Sequence, residues 1–178
     1  AVFVNKRNAI HYENMSIALA ESVANQGQGF ISSMAFGNGG TSVDPTGIIT
    51  YLTPNSTGTN ASLYNQTFTK IVDDRSVSNL DPQRNKIETR HVNGTNYTDV
   101  VVTCLLDYGE PNGQDATDTA SASDSLYVFD ELGLTSYASS GTGKLLTHVI
   151  FHPVQKSLNR LVQIDYTVRV QSLTGFNE

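Results

Sequence analysis

The apolar positions of this chain repeat with two different periods, and the change falls near Gly29. Before it, Tyr12, Met15, Leu19 and Val23 recur at three- and four-residue spacing, the period of one helical face. That spacing predicts a helix over residues 8–26, with Asn8 as its N-cap and Gly27 ending it in a left-handed conformation. The apolar stripe is expected to cover one face of a sheet.

After Gly29 the pattern becomes that of strands. Residues 30–36 form a short apolar run that ends at Gly37-Asn38-Gly39-Gly40, a cluster expected to turn through positive φ. Residues 48–52 give a second strand, stopped by Pro54, and residues 63–72 a weaker third. Residues 73–86 are polar, contain Pro82 and read as a loop. Residues 87–92 and 98–107 flank Asn93-Gly94, a favoured hairpin turn. The second of this pair is apolar on both faces, as a central strand is. Residues 110–124 are rich in Gly, Asp, Ser, Thr and Ala and read as a surface loop or as an arm that orders against a neighbour. Strands follow at 126–134 and at 145–151, the latter halted by Pro153. The last is the clearest: Val162, Ile164, Tyr166, Val168 and Val170 alternate with Gln163, Asp165, Thr167, Arg169 and Gln171.

The expected fold is a helix followed by about seven strands, mainly β with one N-terminal helix (α+β). Its architecture is an antiparallel β-sandwich or open barrel. One domain spans residues 1–178, with 1–7 and 171–178 as extended arms.

Composition narrows the function. The net charge is −6, and charged residues make up only 16% of the chain, so the clustered cations that a phosphate backbone needs are missing. The polar character comes from Ser, Thr, Asn, Gln and Gly, a surface with few strongly hydrated charges to desolvate against a neighbour. Cys104 is the single cysteine, which excludes an internal disulfide, and its apolar surroundings predict a small buried hydrophobe. No window is apolar and long enough for a membrane-spanning helix, and the first residues lack the apolar stretch of a signal peptide.

The motifs that invite an enzyme fail at named positions. Gly141-Thr142-Gly143-Lys144 has Ala138 where a phosphate loop needs its first Gly and Leu145 where it needs Ser or Thr. His148 and His152 lie on a predicted strand, where a four-residue separation spans about 13 Å, too far to share one ion. They read as exposed or hydrogen-bonded structural histidines. Asp130 and Glu131 are strand neighbours, expected to point to opposite faces and so not to form a dyad. Calcium-loop spacing and Gly-x-Ser-x-Gly are absent. The sequence therefore predicts no enzyme, no cofactor, no metal and no small-molecule substrate. A small hydrolase using loop Asp or His residues has no assembled motif behind it.

Three short stretches carry a family resemblance: Met34-Ala35-Phe36-Gly37-Asn38-Gly39-Gly40, Leu63-Tyr64-Asn65-Gln66 and Glu131-Leu132-Gly133-Leu134. In order and rough spacing they resemble the N-terminal attachment domain of tail-fibre and baseplate proteins of tailed bacteriophages. Asn38, Gln66 and Thr135 depart from that pattern, which carries an acidic residue, Glu and Phe at the corresponding positions. No repetitive shaft or receptor-binding tip follows within the 178 residues. The resemblance implies a virion structural protein made in the host bacterial cytoplasm, an adaptor or assembly component of the tail, baseplate, neck or collar. Its partners would be other virion proteins and copies of itself, with no nucleic acid and no membrane. The alternatives are a capsid decoration protein and a carbohydrate- or receptor-binding β-sandwich. Candidate contacts are Phe3 and Phe176 on the arms, Phe36 and Asn38 in the glycine-rich stretch, and Asp115 and Asp118 in the polar loop. The arms either anchor in a neighbour's pocket or are frayed ends.

Overall fold

The structure, a computed structural model, describes residues 4–111 and 126–173. In chain order these form β1 (Ala9–Ile10), α1 (Tyr12–Val23), β2 (Ile31–Gly37), β3 (Thr41–Val43), β4 (Ile49–Tyr51) and β5 (Gln66–Ile71). There follow β6 (Lys86–His91), β7 (Tyr97–Leu106), β8 (Leu126–Ser136), β9 (Thr147–Ser157) and β10 (Val162–Gln171). One sheet has the order β1-β9-β8-β2-β5, a second the order β10-β7-β6, and β3 and β4 form a separate two-stranded ribbon. All the strand pairs are antiparallel. The chain is mainly β with one helix near its N-terminus, and its two larger sheets enclose a common core without closing into a barrel.

Side-chain alternation builds that core. Tyr166 and Val168 of β10 and Val102, Cys104 and Leu106 of β7 supply one wall. Met34 and Phe36 of β2, Phe129, Leu132 and Leu134 of β8, and Val149 and Phe151 of β9 supply the other. Phe129 meets Phe36 and Phe151 edge-on, with centroids 5.4 and 5.7 Å apart, an arrangement that suits the ring quadrupole. Strand β7 is central in its sheet, as its apolar run predicts, and β6 and β7 pair antiparallel as a hairpin whose connection, residues 92–96, holds Asn93-Gly94. Cys104 is fully buried, and burial pushes its thiol up to about 12, so it packs as an apolar side chain.

Several expectations are corrected. Helix α1 is capped by His11 rather than Asn8; His11 Nδ1 accepts the Asn14 N–H at 3.1 Å. Its buried residues are Asn14 and Ala18, while Tyr12 and Val23 are 78% and 86% exposed. A polar side chain can occupy the buried position because Asn14 Nδ2 donates to Leu145 O at 2.9 Å. Pro153 does not halt β9. The register steps from Phe129↔Val154 to Glu131↔Ile150, and Pro153, with no N–H to give the ladder, lies in the extra loop of strand between them. Nor do Gly37, Gly39 and Gly40 turn through positive φ. Their reason is close approach: a Cβ on Gly39 would lie 2.8 Å from both Asn65 N and Tyr64 Cβ. Strands β1 and β3 are too short to carry a sequence period.

Candidate functional site

The distinctive feature lies on the outer face of the larger sheet, between neighbouring strands β2 and β5. There the chain leaves the sheet at Asn38, runs out through the β3–β4 ribbon and returns at Asn65. Asn38 N donates to Asn65 O at 3.1 Å and Asn65 Nδ2 donates to Asn38 Oδ1 at 2.6 Å, which clips the two ends of the excursion together. Asn38 is therefore a half-buried base residue.

Two adjacent carboxylates hold this excursion down. Core-facing residues of β8 are Tyr127 and Phe129, then Leu132 and Leu134. The step of three between Phe129 and Leu132 shifts the alternation by one residue, and the register irregularity of β9 accompanies it. Both Asp130 and Glu131 consequently bind the same loop instead of pointing to opposite faces. Asp130 Oδ1 accepts from Gly40 N at 2.8 Å, and its Oδ2 accepts from Thr41 N at 3.0 Å and Thr41 Oγ1 at 2.5 Å. Glu131 Oε2 accepts from Gly39 N and Asn65 N, each at 2.9 Å. Its Oε1 accepts from Tyr64 N at 2.9 Å and from His148 Nε2 at 2.8 Å.

His148 extends the latch. Its Nδ1 accepts the Asn55 N–H at 2.8 Å, so the ring proton sits on Nε2 and is donated to Glu131. The imidazole is neutral in this arrangement. His11 repeats the scheme at the helix cap, with Nδ1 taken by Asn14 N–H and Nε2–H donated to Gly58 O at 2.8 Å. All four side chains are buried. Ala35, Leu63 and Leu145 form a small second apolar cluster between the excursion and the sheet.

Burial alone would raise the Glu131 carboxyl. The donors from His148, Asn65, Tyr64 and Gly39 outweigh it and hold the group below the usual carboxylate range. Four hydrogen bonds occupy its two oxygens, and both nitrogens of His148 are used. A carboxylate–imidazole pair in this state has neither a lone pair nor a proton to offer a substrate. It ties backbone to backbone.

What the latch presents outward is apolar. On the ribbon Val43 and Ile48 are 63% and 62% exposed, with Tyr51 and Leu52 also at the surface. The tip is held by Asp44, whose Oδ1 accepts from Thr46 N, Thr46 Oγ1 and Ile48 N. Tyr51 is braced by Lys6 Nζ, 4.9 Å from its ring centroid, and by His152 Nδ1, 3.3 Å from its hydroxyl.

The other sequence candidates fall elsewhere. Phe36 is fully buried in the central core and is unavailable for an interface, because β2 turns its Met34 and Phe36 inward. Phe3, Asp115, Asp118 and Phe176 lie outside the described residues. His148 is hydrogen-bonded and buried, while His152 is exposed. Lys144 lies in the β8–β9 connection, where its N–H donates to Ser136 Oγ. Sequence reasoning missed Lys156, whose buried ammonium donates to Asp107 O, Glu110 O and Ser157 O at 2.9, 2.5 and 3.0 Å. It fixes the chain just before residues 112–125. Among the described residues no three His, Cys, Asp or Glu side chains gather as metal ligands, and no helix is long and apolar enough to cross a membrane.

Compared with known proteins, the chain matches no family model, no curated sequence and no solved structure.

Proposed function

We propose that this protein is a non-enzymatic structural subunit of a tailed-bacteriophage virion, an adaptor or assembly component of the tail, baseplate, neck or collar. Its partners are copies of itself and other virion proteins, and it works without a cofactor. One observation carries the non-catalytic half of this reading. The groups best suited to chemistry, Asp130, Glu131 and His148, spend their hydrogen-bonding capacity on backbone N–H groups of residues 39–65 and on each other. The same latch supports the assembly half, because it holds out a ribbon on which Val43 and Ile48 stay largely exposed among the described residues. Exposed apolar side chains gathered on one projecting element favour a protein contact. The virion setting rests on the resemblance of the three short stretches around Phe36, Tyr64 and Leu132.

Peptide mass spectrometry of density-purified phage particles tests the setting. The chain is expected in every preparation at a fixed ratio to the other structural proteins. Its absence from particles that are otherwise complete would overturn the virion reading.

A further inference from the structure

Strand β10 is an edge. Among the described residues it pairs only with β7, in an unbroken register from Val162↔Leu106 to Gln171↔Tyr97. Ser172 N donates to Asn96 O, so even-numbered residues turn their backbone groups to β7 and odd-numbered ones turn them away. Asn8 Nδ2 accordingly reaches Thr167 O from the free side, at 3.5 Å. The strand holds no Pro, no Lys and no bulge, devices that commonly blunt such an edge.

The residues along this edge are complementary to themselves. Laid antiparallel on a second β10 with the two Thr167 residues opposite each other, Asp165 faces the partner's Arg169 and Gln163 faces the partner's Gln171. On the core side Ile164 faces the partner's Val170, and Tyr166 the partner's Val168. Every outward-turned residue then meets an outward-turned one, as a ladder requires. No other register sets Asp165 against Arg169, and centring on either of them sets like charges opposite, which destabilises a strand pair. The side chains are placed for this pairing. Asp165 is exposed and has no cationic partner among the described residues; its bond is to Gln163 Nε2 at 3.1 Å. Arg169 gives Nε and Nη2 to Asp99 at 2.8 and 3.2 Å, which leaves Nη1 for a second carboxylate. Val170 is 41% exposed, and the partner's Ile164 would cover it.

We infer that β10 is the edge by which two copies of this chain join, across a two-fold axis at Thr167, so that two three-stranded sheets become one of six. The pairing rests on the self-association proposed above and gives it a geometry. A single strand pair falls short of the roughly 1,200–2,000 Å² that a stable interface buries, so the β3–β4 ribbon takes part as well. It stands on the same flank: Lys6, which lines a cavity with Gln163 and Asp165, is 4.9 Å from the Tyr51 ring centroid. Loss of either patch disperses the pair.

Cysteine cross-linking in the full-length protein tests the register. In this pairing the two Thr167 Cα atoms stand about 5.5 Å apart, within the span of a disulfide. The two Asp165 Cα atoms are about 14 Å apart. Cys104 is fully buried and stays silent. Thr167→Cys is expected to give a covalent dimer on mild oxidation, and Asp165→Cys to remain monomeric on the same gel. Equal cross-linking of both, or none by a Thr167→Cys protein that self-associates in sedimentation, would overturn the inference, leaving self-association in place and the edge to a different strand. A wild type that never associates would overturn both. Asp165→Lys decides the matter if Thr167→Cys does not fold. It sets two cations against each other at both ends of the pairing, and self-association about tenfold weaker or more is expected. An unchanged dissociation constant would contradict the two-fold pairing.

Discussion

Glu131 Oε1 lies 2.8 Å from His148 Nε2, and neither side chain reaches solvent. In an enzyme such a pair would face a substrate. Here the remaining acceptor capacity of the carboxylate and the second ring nitrogen both face backbone N–H groups, those of Gly39, Tyr64, Asn65 and Asn55. The pair joins β8 and β9 to a segment that would otherwise have no sheet partner.

Replacing Glu131 by Gln keeps the shape but turns an amide N–H₂ toward donors. A buried donor left without its acceptor costs about 1–3 kcal/mol. Urea unfolding followed by circular dichroism is expected to show that loss. Amide exchange is expected to speed up first at Gly39, Tyr64 and Asn65, before it does in β7.

The pH dependence follows from the direction of the Glu131 shift. The folded carboxyl titrates below the unfolded one because its four donors outweigh burial. Its contribution is therefore complete above the unfolded value, about 4.3, and is lost as pH falls through the folded value. The stability gap between wild type and Glu131→Gln is expected to be constant from pH 5 upward and to narrow below that. Denaturant midpoints measured across the acid range check this.

Asp130 acts on the ribbon more than on the core. Asp130→Ala strands the N–H groups of Gly40 and Thr41, of which Gly40 is buried. An unsatisfied buried donor costs about 1–3 kcal/mol. Exchange at Gly40 and Thr41 is expected to rise by at least tenfold, with Val102 and Cys104 unchanged.

Gly39→Ala tests the close approach of the two ends of the excursion. The added methyl meets Asn65 N and Tyr64 Cβ at 2.8 Å. Overpacking of this sort costs about 1–3 kcal/mol, and a lowered thermal midpoint with an unchanged far-ultraviolet spectrum is the expected outcome.

Much of the frame was legible in the sequence. The strict alternation from Val162 to Val170 gave β10 to the residue, and Asn93-Gly94 gave the β6–β7 hairpin. The latch was hidden by one step in a pattern. Tyr127 and Phe129 are two apart, and Leu132 and Leu134 are two apart, but the gap between the pairs is three. That slip was the available sign that Asp130 and Glu131 do not simply alternate, and strand periodicity taken alone placed them on opposite faces. The helix misled for a related reason. Of its apolar stripe only Met15 packs against the core, while Tyr12 and Val23 face outward, because hydrogen bonds of the Asn14 side chain and the His11 ring fix which side is buried. A local pattern cannot show partners that lie far along the chain, as Leu145 and Gly58 do here.

Sedimentation velocity of the wild type beside Val43→Asp/Ile48→Asp tests the central claim most directly, that the latched ribbon is an assembly surface. The wild-type sedimentation coefficient is predicted to rise with protein concentration toward that of a defined oligomer. The double variant, folded by circular dichroism, is predicted to sediment as a monomer throughout. A wild type that stays monomeric at every concentration, or a variant that associates as the wild type does, would contradict the account.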